Sequence, residues 1–120
     1  MPKTNLASTK LDHISLAGSN MTDVDFSASS LRNSHLEHTN LHDANLTECD
    51  LHGAHLDYAD VSGANLHNAD LTGASLLGVD LGTAADTEGI TLIGAKGLDG
   101  AWSSIAEERG ETFPESRRRR

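Results

Sequence analysis

The feature that most constrains this chain is an apolar residue at every fifth position. From Leu6 to Leu81, all sixteen positions at this spacing are apolar, and thirteen of them are leucine. A spacing of five matches neither the 3.6-residue period of a helix nor the two-residue period of a strand. The chain is therefore predicted to be built from five-residue units that repeat along a solenoid.

Each unit contains a second inward position. The residue two places before each apolar residue is small or β-branched and is never charged. Residues two apart in an extended segment point to the same side, so both side chains face inward. The residue between them is Asn or Asp in ten of sixteen units, and such residues favour turns. If four sides close a coil, each residue lies over the one twenty further on, about 4.8 Å away; three or five sides would also keep the period.

Several units match a known signature. The segments ANLTE, ANLHN, ADLTG and ADVSG follow the pattern A(D/N)LXX, and residues 4–81 resemble a pentapeptide repeat protein. The resemblance implies an all-β solenoid, a right-handed quadrilateral β-helix of four to five coils. The predicted core contains Leu46, Leu51, Leu56, Leu66, Leu71, Leu76 and Leu81.

The N-terminal half departs from the signature because Ser and Thr replace the inward alanine of several units. We expect a less regular helix there, with inward hydroxyls bonded to backbone carbonyls. Only three residues precede the first unit. We therefore expect a partly bare coil at this end, suited to an end-to-end homodimer or to a partner.

The C-terminal part breaks the period. Leu92 follows Leu81 by eleven residues, which predicts one inserted residue and a partial fifth coil over residues 83–98, with Ile90 inward. The β-helix is thus assigned to residues 1–98.

A capping α-helix is predicted over residues 99–110, because a capping Asp and a terminating Gly flank a helix-forming segment. Trp102 and Ile105 fall on one face of this helix and are expected to cover the last coil. Residues 111–120 are expected to be a disordered tail.

Little in the sequence indicates catalysis. The single cysteine, Cys49, occupies an inward position and is interpreted as a packing residue. The chain contains no GxSxG, P-loop or GxGxxG motif and nothing that assembles a nucleophile with a base. We therefore expect a protein that is not an enzyme and that has no catalytic residues and no cofactor.

Histidines offer a candidate metal site. In four-sided register His35 lies over His55, and two histidines at that distance could hold zinc. The alternative is a pair of solvated surface histidines. Because Ser15 and Ser75 complete the column, no third ligand is evident, and no metal is expected.

Acidic residues form the candidate interaction surface. The net charge of −9 argues against direct binding of nucleic acid. Four-sided register stacks Asp50 over Asp70, Asp60 over Asp80, and Glu37 over Asp57. Opposed like charges destabilise a sheet, so replacing an acid such as Asp57 with alanine is expected to be neutral or stabilising. These acids either maintain solubility or dock a partner.

The expected function is a non-catalytic protein-interaction module that presents a rigid acidic surface to another protein, either basic or DNA-binding. The resemblance implies an alternative: some family members mimic duplex DNA, bind a type II topoisomerase (DNA gyrase) and protect it from antibiotics or toxins. Four to five coils give a rod of only about 20–24 Å, shorter than is typical of those members. Without a secretory signal or an apolar span, a cytoplasmic protein with no membrane partner is expected.

Overall fold

The computed structural model describes residues 3–98 as a chain wound into regular coils. Parallel β-bridges join residues twenty apart, from Asn5–Asp25 to His55–Ser75. Twenty residues contain four five-residue units, so each coil has four sides, and the three-sided and five-sided alternatives are excluded. Each strand is reduced to one bridging residue. The helical element in the described part is a short 3₁₀ helix, Leu81–Thr83.

The four sides are named here by their bridging residues. Face 1 carries Asn5, Asp25, Asn45, Asn65 and Asp86; face 2 carries Lys10, Ser30, Asp50, Asp70 and Thr91. Face 3 carries Ser15, His35, His55, Ser75 and Lys96; face 4 carries Asn20, Asn40 and Asp60, followed in sequence register by Asp80. Faces 1 and 3 are opposite, as are faces 2 and 4.

A turn separates each unit from the next. In the turn after Leu11, the Ile14 N–H donates to the Leu11 carbonyl at 3.2 Å, and His13 has a φ of 66°. A positive φ at the third of the four turn residues is characteristic of a type II turn. Where the bridging residue is Asn or Asp, its side chain stabilises the turn that follows it. The Asn45 side-chain oxygen, for example, accepts a hydrogen bond from the Thr47 N–H at 3.0 Å. This bond explains why Asn and Asp recur between the inward residues.

The interior confirms the predicted core. All seven predicted leucines are at most 3% exposed. Phe26 is fully buried at the central position of face 1, in the column that also contains Leu46 and Leu66. Leu6, Leu11 and Leu16 of the first coil are only partly buried. The core therefore consists of columns of stacked side chains that become fully buried from the second coil onward.

The expected irregularity of the N-terminal half is wrong. The twenty-residue register holds without interruption from Asn5 onward, because inward hydroxyls fit when they find carbonyl partners. The Thr39 hydroxyl donates to the Leu16 carbonyl at 3.1 Å, and the Ser29 hydroxyl donates to the Leu6 carbonyl. These bonds confirm the expectation of backbone carbonyl partners at both residues. At Ser34, by contrast, the buried Oγ has no hydrogen-bond partner among the described residues.

Replacing Ser34 with alanine is expected to stabilise the protein by about 1 kcal/mol, because it removes a buried hydroxyl whose desolvation is uncompensated. Alanine already occupies the equivalent position of face 3 at Ala54 and Ala74, both fully buried. Urea unfolding monitored by circular dichroism measures the change. Ser29→Ala is the matched control, since it removes a bonded hydroxyl and should not stabilise. A Ser34→Ala variant less stable than the parent would contradict this interpretation.

The irregularity lies instead in the fourth coil. In the regular coils a turn N–H donates to the carbonyl nineteen residues on, as from Tyr58 to Leu77, whereas the Gly63 N–H donates to the Thr83 carbonyl, twenty residues on. The extra residue therefore enters the chain between Leu77 and Thr83, in the segment that contains the 3₁₀ helix. The following bridges join residues twenty-one apart instead of twenty.

The partial fifth coil is confirmed. Ile90 and Leu92 are inward and at most 8% exposed. The predicted capping helix at 99–110, with Trp102 and Ile105, and the predicted tail at 111–120 lie outside the described residues. Within residues 3–98, no helix has the length and apolar character required to cross a lipid bilayer.

Candidate functional site: the acidic faces

The acids that were predicted as an interaction surface also shape the turns. Asp50, Asp60, Asp70 and Asp80 each accept a hydrogen bond from the backbone N–H two residues further on. Asn20, Asn40, Asn45 and Asn65 accept the same bond at equivalent positions. An amide can therefore replace the carboxylate in this turn, and the choice of Asp over Asn adds charge without being needed for the fold.

Face 2 carries acids whose charge is partly offset. The predicted stack of Asp50 over Asp70 is confirmed by a β-bridge. Arg32 lies in the coil before Asp50 and contacts its carboxylate at 3.1 Å. Burial raises the pKa of Asp70, but the bonds from Thr72 and the charges of His52 and Arg32 outweigh it, so the net pKa lies below its usual value. The expected repulsion in this column is thus relieved by neighbouring donors and cations.

Face 4 differs because its acids line an opening between two coils. Within the described part of the chain, no β-bridge joins Asp60 to Asp80, since the chain leaves the ladder near the 3₁₀ helix. A notch of about 310 Å³ lies there. Its lining is Tyr58, Ala59, Asp60, Val61, Ser62, Gly78, Asp80 and Thr83. The predicted acid pair therefore flanks a notch rather than forming a paired column.

Faces 4 and 1 are adjacent and together form the most acidic part of the described surface. Their units contain Asp23, Asp25, Asp43, Glu48, Asp60, Asp80, Asp86 and Glu88. Within residues 3–98 these two faces carry no Arg and a single Lys, Lys3, at the N-terminal edge. The backbone N–H of Lys3 donates to the Thr22 carbonyl. His42 and His67 contact Asp43 and Asp86 at 3.2 and 3.4 Å. The concentration of negative charge here was not evident from single columns, because it requires the faces to be compared.

On face 3 the contacts of Asp57 change the expectation for its replacement. Its carboxylate accepts from the Leu77 N–H at 3.0 Å and from the Ser75 hydroxyl, both in the next coil. Removing this side chain deletes two bonds between coils as well as a negative charge. We expect the bonds to outweigh the repulsion from Glu37, because exposed like charges interact weakly in water whereas the Leu77 N–H would lose its carboxylate partner.

Asp57→Ala is accordingly expected to lower the free energy of unfolding by about 1 kcal/mol. Asp57→Asn keeps an acceptor oxygen and should recover most of that loss. Chemical unfolding of the two variants beside the parent measures both values. An Asp57→Ala variant more stable than the parent would show that repulsion between Glu37 and Asp57 outweighs the two bonds.

Acid should weaken the fold through the turn carboxylates. Hydroxyl and backbone N–H bonds from Ser27 and Ser62 hold the pKa values of Asp25 and Asp60 below the usual 3.8. A carboxylate with a depressed folded pKa contributes stability above its unfolded pKa and loses it as the pH falls through the folded pKa. The contribution of these two carboxylates should therefore be constant from neutrality to about pH 4 and decline below it. Unfolding curves across this range measure the decline, which Asp60→Asn should make shallower; an equally steep decline in that variant would exclude a contribution from Asp60.

Cys49 and the histidine pair lie where the sequence predicted them. Cys49 is buried, and burial together with Asp50 raises the pKa of its thiol to about 12, in keeping with a packing residue. The predicted stack of histidines is confirmed: the His35 and His55 ring centroids lie 4.7 Å apart and the planes differ by 3°.

Sequence reasoning missed Glu37 as a neighbour of this histidine pair. Its carboxylate lies 3.3 Å from His35 Nδ1. The missed signal was the strand alternation itself, since residues two apart in an extended segment share a side. The column itself continues into Ser15 and Ser75, so the third donor lies beside the column and not within it.

The comparisons with known proteins agree with this architecture. The family model for pentapeptide repeats matches eight copies, over residues 3–37, 25–60 and 49–84. No curated protein gives a significant match.

Two solved structures of similar proteins come from cyanobacteria. The pentapeptide repeat protein Rfr23 of Cyanothece 51142 is 32% identical, with a TM-score of 0.62 over 81% of this chain and 61% of its own. The protein alr5209 of Nostoc PCC 7120 is 31% identical, with a TM-score of 0.63 over 73% of this chain and 79% of its own. This chain thus spans about three-fifths of the length of Rfr23. From its repeats, its four-sided coil and these similarities, the chain belongs to the pentapeptide repeat family and has that family's right-handed quadrilateral β-helix.

Proposed function

We propose that this chain is a non-catalytic protein-interaction module, and that faces 4 and 1 dock a basic surface of another protein. The observation that carries the proposal is the set of eight carboxylates on two adjacent faces. Within residues 3–98, Lys3 at the edge is the one Lys or Arg on these faces. Such a surface attracts a positively charged partner and increases its association rate. The backbone ladder holds these groups in fixed positions, so little ordering is needed on binding.

The notch on face 4 suits the side chain of an arginine or a lysine. Asp60 and Asp80 supply carboxylates at its lining, and Tyr58, 53% exposed, supplies an aromatic ring. Arginine binds carboxylates through paired N–H groups and also stacks on aromatic rings. The Tyr58 ring is itself held in place by stacking on His38 at a centroid distance of 5.2 Å. We therefore assign the central contact of the docking surface to this notch.

The test uses amide variants because asparagine preserves the turn. The double variant Asp60→Asn with Asp80→Asn removes the charge of the notch, while Asp50→Asn with Asp70→Asn is the matched control on the opposite face. Each immobilised protein captures partners from a lysate of its native host, at low and at moderate salt. The captured proteins are identified by mass spectrometry, and their affinities are measured with purified components.

The proposal predicts a basic partner that the control retains and the Asp60/Asp80 variant loses, with association that slows as salt rises. Equal retention by all three proteins would overturn it and leave the acids a role in solubility. The DNA-mimic alternative predicts a different pattern: a topoisomerase partner that is displaced by duplex DNA and weakened by both double variants. An end-to-end dimer through the first coil stays a prediction, which analytical ultracentrifugation tests separately.

A further inference from the structure

Face 3 brings together three side chains with the donor atoms of a transition-metal site. His35 and His55 come from successive coils, and Glu37 follows His35 by two residues. One nitrogen from each histidine and one carboxylate oxygen all lie within 4.8 Å of one another. Two imidazoles and a carboxylate form a donor set that zinc uses in proteins, with a fourth position left to water.

The backbone beneath these residues is well ordered by hydrogen bonds. His35 and His55 are joined by a β-bridge. The Leu36 N–H donates to the His55 carbonyl at 2.7 Å, and the His55 N–H donates to the Ser34 carbonyl at 2.9 Å. The spacing of the two Cα atoms is thereby fixed by the coil, and only side-chain rotation is needed to bring the donors to a metal.

The Glu37 carboxylate supplies an independent indication. Its Oε1 is buried and bonds to no other residue of the described part, whereas Oε2 lies 3.3 Å from His35 Nδ1. A buried carboxylate oxygen without a donor is costly unless a proton donor or a cation satisfies it. The neighbouring Asp57 is not among the grouped donor residues; its Oδ1 accepts from Ser75 and Leu77, and its charge adds negative potential.

We propose that His35, Glu37 and His55 bind a divalent transition-metal ion, of which Zn²⁺ is the best match. Zinc–nitrogen bonds of about 2.0–2.1 Å in a tetrahedral site place two ligand nitrogens about 3.4 Å apart. Because the donors lie within 4.8 Å of one another, none of them must approach another by more than about 1.4 Å. The side chains of His35 and Glu37 are 50% and 31% exposed, so rotation of the imidazole and the carboxylate can supply this movement. The bound ion would cross-link the second and third coils.

The experiment titrates ZnSO₄ into the full chain, free of any polyhistidine tag, by isothermal calorimetry, with MgCl₂ as the hard-cation control. The proposal predicts one Zn²⁺ per chain, no Mg²⁺ binding, and a rise in melting temperature with zinc. His55→Ala and Glu37→Gln should each weaken zinc binding at least about tenfold. The matched control is the double variant His42→Ala with His67→Ala, which removes two other carboxylate-contacting histidines and should bind zinc like the parent.

Co²⁺ provides a second readout that non-specific surface binding would not give. The visible absorption of four-coordinate Co²⁺ should develop at one equivalent in the parent and be lost in His55→Ala. Circular dichroism confirms that each variant is folded. The proposal is overturned by the absence of stoichiometric binding, by parent-like affinity in His55→Ala, or by an equal loss in the His42/His67 control. None of these outcomes bears on the docking surface, which lies on other faces.

Discussion

Replacing Leu51 with lysine is expected to unfold the protein at room temperature. Leu51 is fully buried at the central position of face 2, with Leu31 and Leu71 in the adjacent coils of the same column. A lysine there would bury an unpaired charge, which costs far more than the modest stability of a small domain. The milder variant Leu51→Ala should lower the free energy of unfolding by about 2–5 kcal/mol.

The control for this prediction is the next residue along the chain. His52 lies outside the core, so His52→Lys should remain folded, with a melting temperature near that of the parent. Circular dichroism and thermal unfolding of the three variants supply the comparison. A folded Leu51→Lys protein would show that this residue does not face inward and that the inward register assigned to the repeat is incorrect.

Phe26→Ala should produce the second large effect, a loss of about 3–5 kcal/mol in the free energy of unfolding. Phe26 is fully buried between Leu6 and Leu46 in the face 1 column, and its removal leaves a cavity that a hydrogen-bonded ladder cannot close. The coils above and below are held apart at the strand spacing, so relaxation into the space is limited.

Phe26→Leu is the matched variant, because leucine occupies this position in the first, third and fourth coils. It should cost about 1.5 kcal/mol or less. Denaturant unfolding of the two variants gives the difference directly. Similar losses of unfolding free energy in Phe26→Ala and Phe26→Leu would indicate that the column tolerates cavities and is not closely packed.

The sequence was sufficient to predict the core because inward and outward positions alternate with a fixed period. The columns of leucine, the burial of Cys49 and the inserted residue after Leu81 all follow from this counting. The number of sides did not follow from the residues, since any closed polygon of five-residue units keeps the same spacing. Only the bridges, such as Asn45–Asn65, determine that four units form one coil.

The candidate site was predicted less completely, because side-chain hydrogen bonds are not encoded in the period. Asp57 was expected to repel its neighbour, but it accepts bonds from the following coil. Asp60 and Asp80 were expected to stack, but the chain leaves the ladder between them. Glu37 was assigned to an acidic column; its two-residue spacing from His35 places both on the same side, but the contact between carboxylate and imidazole depends on rotamers that the sequence does not specify.

Both proposals depend on the stacking of residues twenty apart, and paired spin labels test this stacking most directly. Cys49 is first replaced by alanine, the residue that occupies its column position at Ala69. Exposed positions 28 and 48 are twenty residues apart on face 1, and the Ala28 N–H bonds the carbonyl of Thr47. Positions 28 and 38 are only ten residues apart but lie on opposite faces.

The measurement is electron paramagnetic resonance of the doubly labelled variants Ala28→Cys/Glu48→Cys and Ala28→Cys/His38→Cys. The four-sided coil predicts strong dipolar broadening for the first pair, whose backbones are one strand spacing apart, about 4.8 Å. It predicts a clearly longer distance for the second pair, although those residues are closer in sequence. Equal broadening in both pairs, or stronger broadening in the second, would contradict the four-sided coil and both proposed surfaces.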